Sequence, residues 1–254
     1  MENPKRHLDT KSFIRHKLFD EKKSDLKKYA ELVIGEMSFF KLLKYELFMC
    51  FLGPIPGALG LLLRKILYRS LFKKAGRGIV IGRSVVIRHP DKISFGDRVV
   101  IDDYALIDAR GAGDEGIVIG DDVIINRGVL IQSKVGPIRI GSGTNIGSGT
   151  VIVAQGGVEI GELVNIAGGC EISGGAYYTE RDDTLREHRK FTTGPIRIDQ
   201  KCRLGMRVII LDGVHLEEGC IVGAGSIVVK DLPEYSVSAG VPAVVKYTRE
   251  RIIS

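Results

Sequence analysis

The chain has 254 residues, enough for one large domain and an appendage. Its hydrophobic content of 44% and charged content of 27% are typical of a folded protein, and 32 dispersed glycines indicate many tight turns. Residues 1–78 hold 17 Lys and Arg against 8 Asp and Glu, whereas the remainder holds 20 against 23. This imbalance argues against a nucleic-acid-binding main domain and favours a basic segment that faces an acidic surface.

The N-terminal region divides into two predicted parts. Residues 1–40 indicate a polar helical arm without a signal peptide, so we expect an intracellular protein. Residues 41–78 are apolar and basic, and the run from Leu47 to Leu63 carries no charge but is interrupted by Gly53–Gly57 with its two prolines. Prolines disfavour a straight spanning helix. We predict a helical hairpin that lies in the membrane interface, with Arg64 among its basic flanks; a cap on the main domain is the alternative, and both can hold.

The main domain is predicted over residues 79–246, because an aliphatic residue recurs there at every sixth position as far as about residue 232. Period six is neither helical nor simple strand alternation. It predicts a parallel β-helix, in which three hexads form one triangular coil and the aliphatic residues of successive coils stack as a ladder. The series are Ile81, Ile87 and Ile93, slipping by two to Phe95, Ile101 and Ile107; Ile119, Ile125 and Ile131; Ile140, Ile146 and Ile152; Ile160, Ile166 and Ile172; and Ile198, Leu204, Ile210, Leu216, Val222 and Val228.

Three of the four cysteines, Cys170, Cys202 and Cys220, lie four residues after a ladder residue. That position is elsewhere filled by valine, threonine or serine, so we interpret these cysteines as small buried fillers. No C-x-x-C spacing occurs, and no metal is expected.

An inserted loop is predicted over residues 174–195. One coil needs about 18 residues, but 38 residues separate Ile160 from Ile198. Long loops on a rigid scaffold tend to carry function. This loop contains Tyr177, Tyr178 and His188, the last being its one histidine.

A dense motif closes the repeat: Gly213-Val214, then Val222-Gly223-Ala224-Gly225-Ser226-Ile227-Val228, then Lys230-Asp231-Leu232-Pro233, then Ala239-Gly240-Val241-Pro242-Ala243. It resembles the closing signature of the hexapeptide-repeat acyltransferases, the family of maltose, galactoside and serine acetyltransferases and many polysaccharide O-acetyltransferases. The resemblance covers about residues 79–246. It implies a left-handed β-helix, an all-β main domain behind the N-terminal helical segment, and a homotrimer with acyl-CoA in the groove between neighbouring chains.

The resemblance also implies which residues bind the co-substrate, acetyl-CoA or another acyl-CoA. The pantetheine arm would be lined by Gly205, Ala224, Gly225 and Ser226, and Lys230 would lie near its charged end. Small residues let a thin ligand approach the backbone, whose exposed amides can bond the arm, while a lysine can meet its phosphates. The alternative is that these glycines only serve the turns.

Many members of the family carry a catalytic histidine in such a loop, five residues after a ladder residue. Here that ladder residue is Ile172 and the matching position is Tyr177, whose phenol is a poor base at neutral pH. Four explanations stay open. Tyr177 or Tyr178 orients the acceptor while another group is the base; His188 folds back or reaches a neighbouring subunit; proximity alone suffices; or catalysis has been lost.

The other histidines are weaker candidates. We interpret His89 as a turn residue at the slip in the ladder and His215 as a solvated residue at an edge, whereas His7 and His16 lie in the polar arm.

The residues and the resemblance together predict acyl transfer from acyl-CoA to a hydroxyl or amine of a saccharide or lipid-linked sugar, in polysaccharide biosynthesis. We expect a cytoplasmic enzyme that is peripheral on the inner face of the plasma membrane, and a short tail at residues 247–254. The alternative is a non-catalytic β-helix that serves as a scaffold or regulatory subunit of a surface-polysaccharide assembly. Direct transfer to a glycan, as against CoA binding without turnover, distinguishes the two.

Overall fold

The computed structural model describes residues 23–174 and 194–250, together with the backbone of residues 176–177 and 191–192. Tyr178 and His188 lie outside these described residues. The chain folds as a parallel β-helix with an N-terminal helical segment, so the predicted fold class is confirmed.

The helical segment consists of α1 (Asp25–Val33), α2 (Phe39–Leu47) with a π-helical turn (Phe48–Leu52), α3 (Gly57–Leu67) and a 3-10 turn (Tyr68–Leu71). Ser24 caps α1 by accepting a bond from the backbone amide of Lys27. The π-helical turn ends just before Gly53, and α3 begins directly after Pro56, since proline cannot continue a helix but is compatible with its start. The break at Gly53–Pro56 between α2 and α3 falls within residues 41–78, the region predicted as a helical hairpin.

Three parallel sheets, here called sides A, B and C, form the faces of the β-helix. Side A contains Lys74–Ala75 (β1), Ile93–Phe95 (β4), Ile117–Ile119 (β7), Ile138–Ile140 (β10), Val158–Ile160 (β13), Ile196–Ile198 (β18) and His215–Leu216 (β21). Side B contains Val80–Ile81 (β2), Val100–Ile101 (β5), Ile124–Ile125 (β8), Asn145–Ile146 (β11), Asn165–Ile166 (β14), Arg203–Leu204 (β19), Ile221–Val222 (β22), Ser236–Gly240 (β24) and the antiparallel Ala243–Thr248 (β25). Side C contains Val86–Arg88 (β3), Leu106–Asp108 (β6), Leu130–Ser133 (β9), Val151–Ala154 (β12), Glu171–Ser173 (β15), Ile209–Ile210 (β20) and Ile227–Val228 (β23).

The turns between the sides form three edges of the prism. Edge BC is the column of turns that follow the strands of side B, and edge CA is the column that follows side C. On edge CA the strands of the β-helix stop at Ser173 and resume at Ile196, on either side of the segment predicted as a loop. Within that segment Ala176–Tyr177 (β16) pairs antiparallel with Phe191–Thr192 (β17).

The ladder residues fill the interior as the repeat predicts. Ile125, Ile146 and Ile166 stand in register on neighbouring strands of side B, and each is fully buried. The slip in the early series has a simple cause. Ile93 and Phe95 belong to one strand of side A and both point inward, so a side A strand contributes two buried residues rather than one.

The helical segment covers the first coil. Tyr68 and Phe72 belong to the same buried cluster as the ladder. The Arg64 side chain is 2% exposed; its Nε donates to the Ile81 carbonyl of the first coil and its Nη1 to the Leu52 and Ile55 carbonyls. Arg64 therefore fastens the hairpin to the β-helix, and its predicted place among lipid headgroups is wrong. The helical segment packs on the first coil, which is the arrangement that the capping interpretation describes.

Candidate active site

The inserted segment is anchored at its base by one carboxylate. The backbone amide of Gly194, at the returning end, donates to both carboxylate oxygens of Asp212 at 2.9 and 3.0 Å. At the outgoing end, a Cβ added to Gly174 would lie 2.6 Å from the same carboxylate. Both ends of the segment therefore converge on Asp212, which sits on edge CA of the next coil.

Gly205, Ala224 and Gly225 lie together on edge BC. A Cβ at Gly205 would come within 2.5 Å of the Ala224 backbone nitrogen, so only glycine fits between these coils. Gly225 has φ +69° and open space beyond its Cα, and Ala224 is exposed. The amides of Gly205 and Gly225 already donate to the Val222 and Met206 carbonyls. Both amides are therefore engaged within the β-helix, and the Gly205 carbonyl accepts from the Cys170 thiol.

Ser226 lies at the inner side of the same turn and is fully buried. Its hydroxyl donates to the Gly223 carbonyl at 2.7 Å and accepts from the Gly240 amide at 3.1 Å. The hydroxyl thus links the turn to the closing strand β24, and Ser226 holds the shape of edge BC from inside.

Lys230 lies on a different edge from these residues. It is exposed in the turn that follows β23, on edge CA, the edge that also carries the inserted segment. The strand Ile227–Val228 separates it from Ser226. The sequence motif therefore spans two edges of one chain, with side C between them.

A histidine–carboxylate pair lies on the outer face of side A. His215 Nε2 is 3.0 Å from Asp199 Oδ2, and the two side chains are 36% and 45% exposed. The His215 amide donates to Asp231, which fixes the start of its strand. An imidazole oriented by a carboxylate is an arrangement suited to accepting a proton. The sequence interpretation of His215 as a merely solvated edge residue missed this partner.

The coil repeat could have predicted the pair of His215 and Asp199. His215 stands in register with Arg197 on the neighbouring strand, and Asp199 follows two residues later. Extending the coil repeat from one strand to the next would have placed the two side chains close together.

Cys170, Cys202 and Cys220 are buried, as the repeat predicts. The Cys170 thiol donates to the Gly205 carbonyl at 3.2 Å, and burial raises the pKa of that thiol. A raised pKa keeps it protonated at neutral pH and disfavours a nucleophilic role. Among the residues that the structure describes, no three His, Cys, Asp or Glu side chains are grouped so as to hold a metal ion.

Parts of the chain match a family model and curated acetyltransferases. A model described as the hexapeptide repeat of succinyl-transferase matches residues 195–230. The galactoside O-acetyltransferase of Escherichia coli K12 is 33% identical over 114 residues, which cover 42% of this chain and 55% of that protein. The probable acetyltransferase Rv3034c of Mycobacterium tuberculosis is 28% identical over 123 residues, 47% of this chain and 40% of that protein. Over part of its length the chain is thus similar to proteins of the hexapeptide-repeat acyltransferase family. It spans about half the length of the curated relatives it matches.

Solved structures share the fold of this family. AntD, an N-acyltransferase from Bacillus cereus in complex with dTDP and 3-hydroxybutyryl-CoA, has a TM-score of 0.54 at 22% identity, covering 74% of this chain and 88% of that one. The UDP-N-acetylglucosamine acyltransferase from Campylobacter jejuni has a TM-score of 0.50 at 17% identity, covering 69% and 70%. At these identities the likeness shows the β-helix fold.

The position that matches the family's loop histidine falls in strand β16, where Tyr177 pairs through its backbone with Phe191. The roles assigned to Tyr177, Tyr178 and His188 therefore stay predictions.

Proposed function

We propose that the protein transfers an acyl group, acetyl being the simplest, from acyl-CoA to a hydroxyl or amine of a saccharide or lipid-linked sugar. The observation that carries the proposal is edge BC at Ala224 and Gly225. There the closing signature is exposed, is held from inside by Ser226, and has open space beside Gly225. An extended pantetheine arm, whose amides are donors, is a ligand that such an edge fits.

Names of related proteins support the substrate classes. The E. coli relative is a galactoside O-acetyltransferase, and AntD was solved with an acyl-CoA and dTDP. A saccharide acceptor and an acyl-CoA donor are thus the substrate classes that we assign to this chain.

We further propose a homotrimer in which neighbouring chains complete the site. Edge BC carries the residues assigned to the arm, whereas Lys230 and the inserted segment lie on edge CA. A second chain can bring its edge CA to the first chain's edge BC. Side C also points a row of aliphatic side chains outward, interrupted by Glu171, which self-association would shield from water. These are Val86, Leu106, Leu130, Val151, Ile209 and Ile227.

The chemical step needs a base that removes the acceptor's proton as the acceptor attacks the thioester carbonyl, after which the CoA thiolate leaves. His188 is the base that we propose, because it belongs to the inserted segment, with Tyr177 and Tyr178 orienting the acceptor. The pair of His215 and Asp199 is the second candidate, and it has the orienting carboxylate in place.

The membrane proposal rests on the outer face of the helical segment. Apolar side chains crowd that face while the inner face packs on the first coil. They are Phe39, Phe40, Leu43, Leu47, Phe51, Leu59, Leu62 and Ile66. Basic residues such as Lys65 and Arg69 lie exposed beside them, a combination that favours an anionic bilayer surface. No helix within the described ranges is long and apolar enough to cross a membrane. We place the protein on the inner face of the plasma membrane.

One observation favours the second candidate function, a non-catalytic scaffold or regulatory subunit. Tyr177 stands where the family's loop histidine is expected, and a phenol does not serve as a base near pH 7. Such a protein would bind acyl-CoA but would not release free CoA, the thiol product of acyl transfer.

The test is a thiol-release assay with acetyl-CoA and a panel of saccharide acceptors. His188→Ala should lower the rate by about 10²–10⁴-fold with little change in CoA affinity, the range usual for a lost general base. Tyr177→Phe should cost less, since it removes one hydrogen bond worth about 1 kcal/mol and keeps the ring. His16→Ala, in the polar arm, is the matched control and should leave the rate unchanged.

His215→Ala separates the two candidate bases. If His188→Ala kept the full acyl-transfer rate and His215→Ala lost most of it, the general base would be His215 on side A. CoA binding by the wild type without turnover on any acceptor would support the scaffold, and activity gained by Tyr177→His would then show that only the base had been lost.

A further inference from the structure

A cavity of about 320 Å³ lies between α1 and edge CA, apart from the residues assigned to acyl-CoA. One wall is formed by α1 and the turn after it, at Glu31, Ile34 and Gly35. The opposite wall consists of successive turns of the β-helix, from His89–Lys92 through Arg110–Gly111 to Lys134. The cavity therefore exists only because the helical segment docks beside the coils.

His89 is a buried polar group in this wall without a partner. Its side chain is only 6% exposed, and neither ring nitrogen has a hydrogen-bond partner among the described residues. A buried polar atom left unpaired destabilises the fold unless a ligand pairs with it. Burial also lowers the pKa of His89, so the ring is neutral at pH 7 and offers one donor and one acceptor.

The imidazole is held in place from both walls. The His89 amide donates to the Val33 carbonyl at the end of α1 at 2.8 Å. On the facing wall Gly35 has φ +87°, and a Cβ there would lie 3.0 Å from His89 Nδ1. Glycine at position 35 thus leaves room for the ring, and the backbone bond at His89 fixes the turn that carries it.

The cavity also carries cations that no acid neutralises. Of the lining acids, Glu31 pairs with Lys23 and Glu36 pairs with Lys41, while the lining Arg110 pairs with the buried Asp108. Lys92 and Lys134 form no ion pair with any residue in the described part of the chain. Against these two ammonium groups only Asp91 remains, so the cavity has surplus positive charge.

We propose that this cavity binds a phosphorylated sugar, with His89 hydrogen-bonding a sugar hydroxyl and Lys92 and Lys134 facing the phosphate. A hydroxyl both donates and accepts, which matches a neutral imidazole, and a phosphate is the anion that a pair of lysines favours. The volume lies at the lower end of the range for small-molecule pockets. An inorganic anion alone would leave the imidazole unpaired, and an uncharged sugar would leave the lysines unused. The site stands on its own, whether or not the protein transfers acyl groups.

Calorimetric titration of the full chain with glucose 1-phosphate tests the proposal, with glucose and inorganic phosphate as comparison probes. Glucose 1-phosphate should bind saturably and at least about tenfold more tightly than either fragment, because only it engages both the imidazole and the lysines. Lys92→Gln and Lys134→Gln should each weaken it about three- to tenfold. Lys246→Gln, an exposed lysine on β25 at the other end of the β-helix, is the matched control and should bind as wild type.

The role of the imidazole has a separate readout. His89→Asn keeps a residue that tolerates the left-handed backbone of position 89 (φ +53°) but shortens the polar group, and should remove the advantage of the sugar phosphate over phosphate. Nitrogen-15 spectra of the wild-type histidine rings should show a His89 shift on adding glucose 1-phosphate even if that variant folds poorly. Absence of saturable binding, equal affinity for inorganic phosphate, or an equal loss in Lys246→Gln would each overturn the proposal.

Discussion

The β-helix and the helical segment use the same apolar residue types in opposite ways. Ile146 on the ladder is fully buried, whereas Ile66 on α3 is 61% exposed. In the β-helix each aliphatic residue meets its equivalent one coil away, so every repeat hides the apolar side of the next. The helical segment has a partner on one side only, the first coil, and its other side faces outward. Composition therefore shows how much apolar surface a chain carries, but only periodicity shows where it is buried.

Truncating one isoleucine in each region should give the largest contrast. Ile146→Ala removes a side chain packed between Ile125 and Ile166, and should lower the free energy of unfolding by about 2–5 kcal/mol. Ile66→Ala removes exposed surface from a helix and should change it by less than about 0.5 kcal/mol. Urea unfolding followed by circular dichroism measures both, and similar losses would mean that Ile66 is buried in solution.

Removing the Arg64 hydrogen bonds, which join the two regions, should give the next largest effect. Arg64→Met leaves the Ile81, Leu52 and Ile55 carbonyls without their charged donor and should destabilise docking by about 2–3 kcal/mol. Hydrogen exchange of the first-coil amides reports this directly. Lys65→Met, at the exposed neighbouring position, is the control. Unchanged exchange in Arg64→Met would show that apolar packing alone holds the cap.

The smallest effect is expected at the apolar outer face of the helical segment, the proposed lipid surface. Phe40→Ser with Leu62→Ser should weaken binding to anionic vesicles by about tenfold or more and leave unfolding unchanged, because both side chains are more than half exposed. Wild-type binding should also weaken as salt is added. Tyr104→Ser with Leu163→Ser, exposed on the β-helix, forms the matched control.

Equal vesicle binding by both double variants would place the lipid surface elsewhere. Deleting residues 1–77 is a poorer test, because it would also remove Tyr68 and Phe72 from the core.

The ladder could be predicted because its interactions repeat. Each hexad position fixes a residue's side and each coil fixes its neighbour, which is why Ile125, Ile146 and Ile166 were placed correctly from the sequence. The same rule, carried to the outer face, would have found Asp199 beside His215.

Arg64 and His89 could not be predicted in this way. Their burial depends on how the helical segment docks, and no period relates that segment to the coils. From the sequence Arg64 was therefore assigned to the basic flanks of an interfacial hairpin and His89 to a turn. For Arg64 the Ile81 carbonyl comes from the β-helix, and for His89 the facing Gly35 comes from the helical segment.

The convergence of Gly174 and Gly194 on Asp212 has an evolutionary consequence. The coil above, rather than the inserted segment, fixes where that segment leaves and returns. Sequence between these two glycines can lengthen, shorten or diverge while the register of the coils stays the same, since longer loops add little closure entropy. The segment can thus be exchanged as a unit without a change in the scaffold. One aspartate makes that modularity possible.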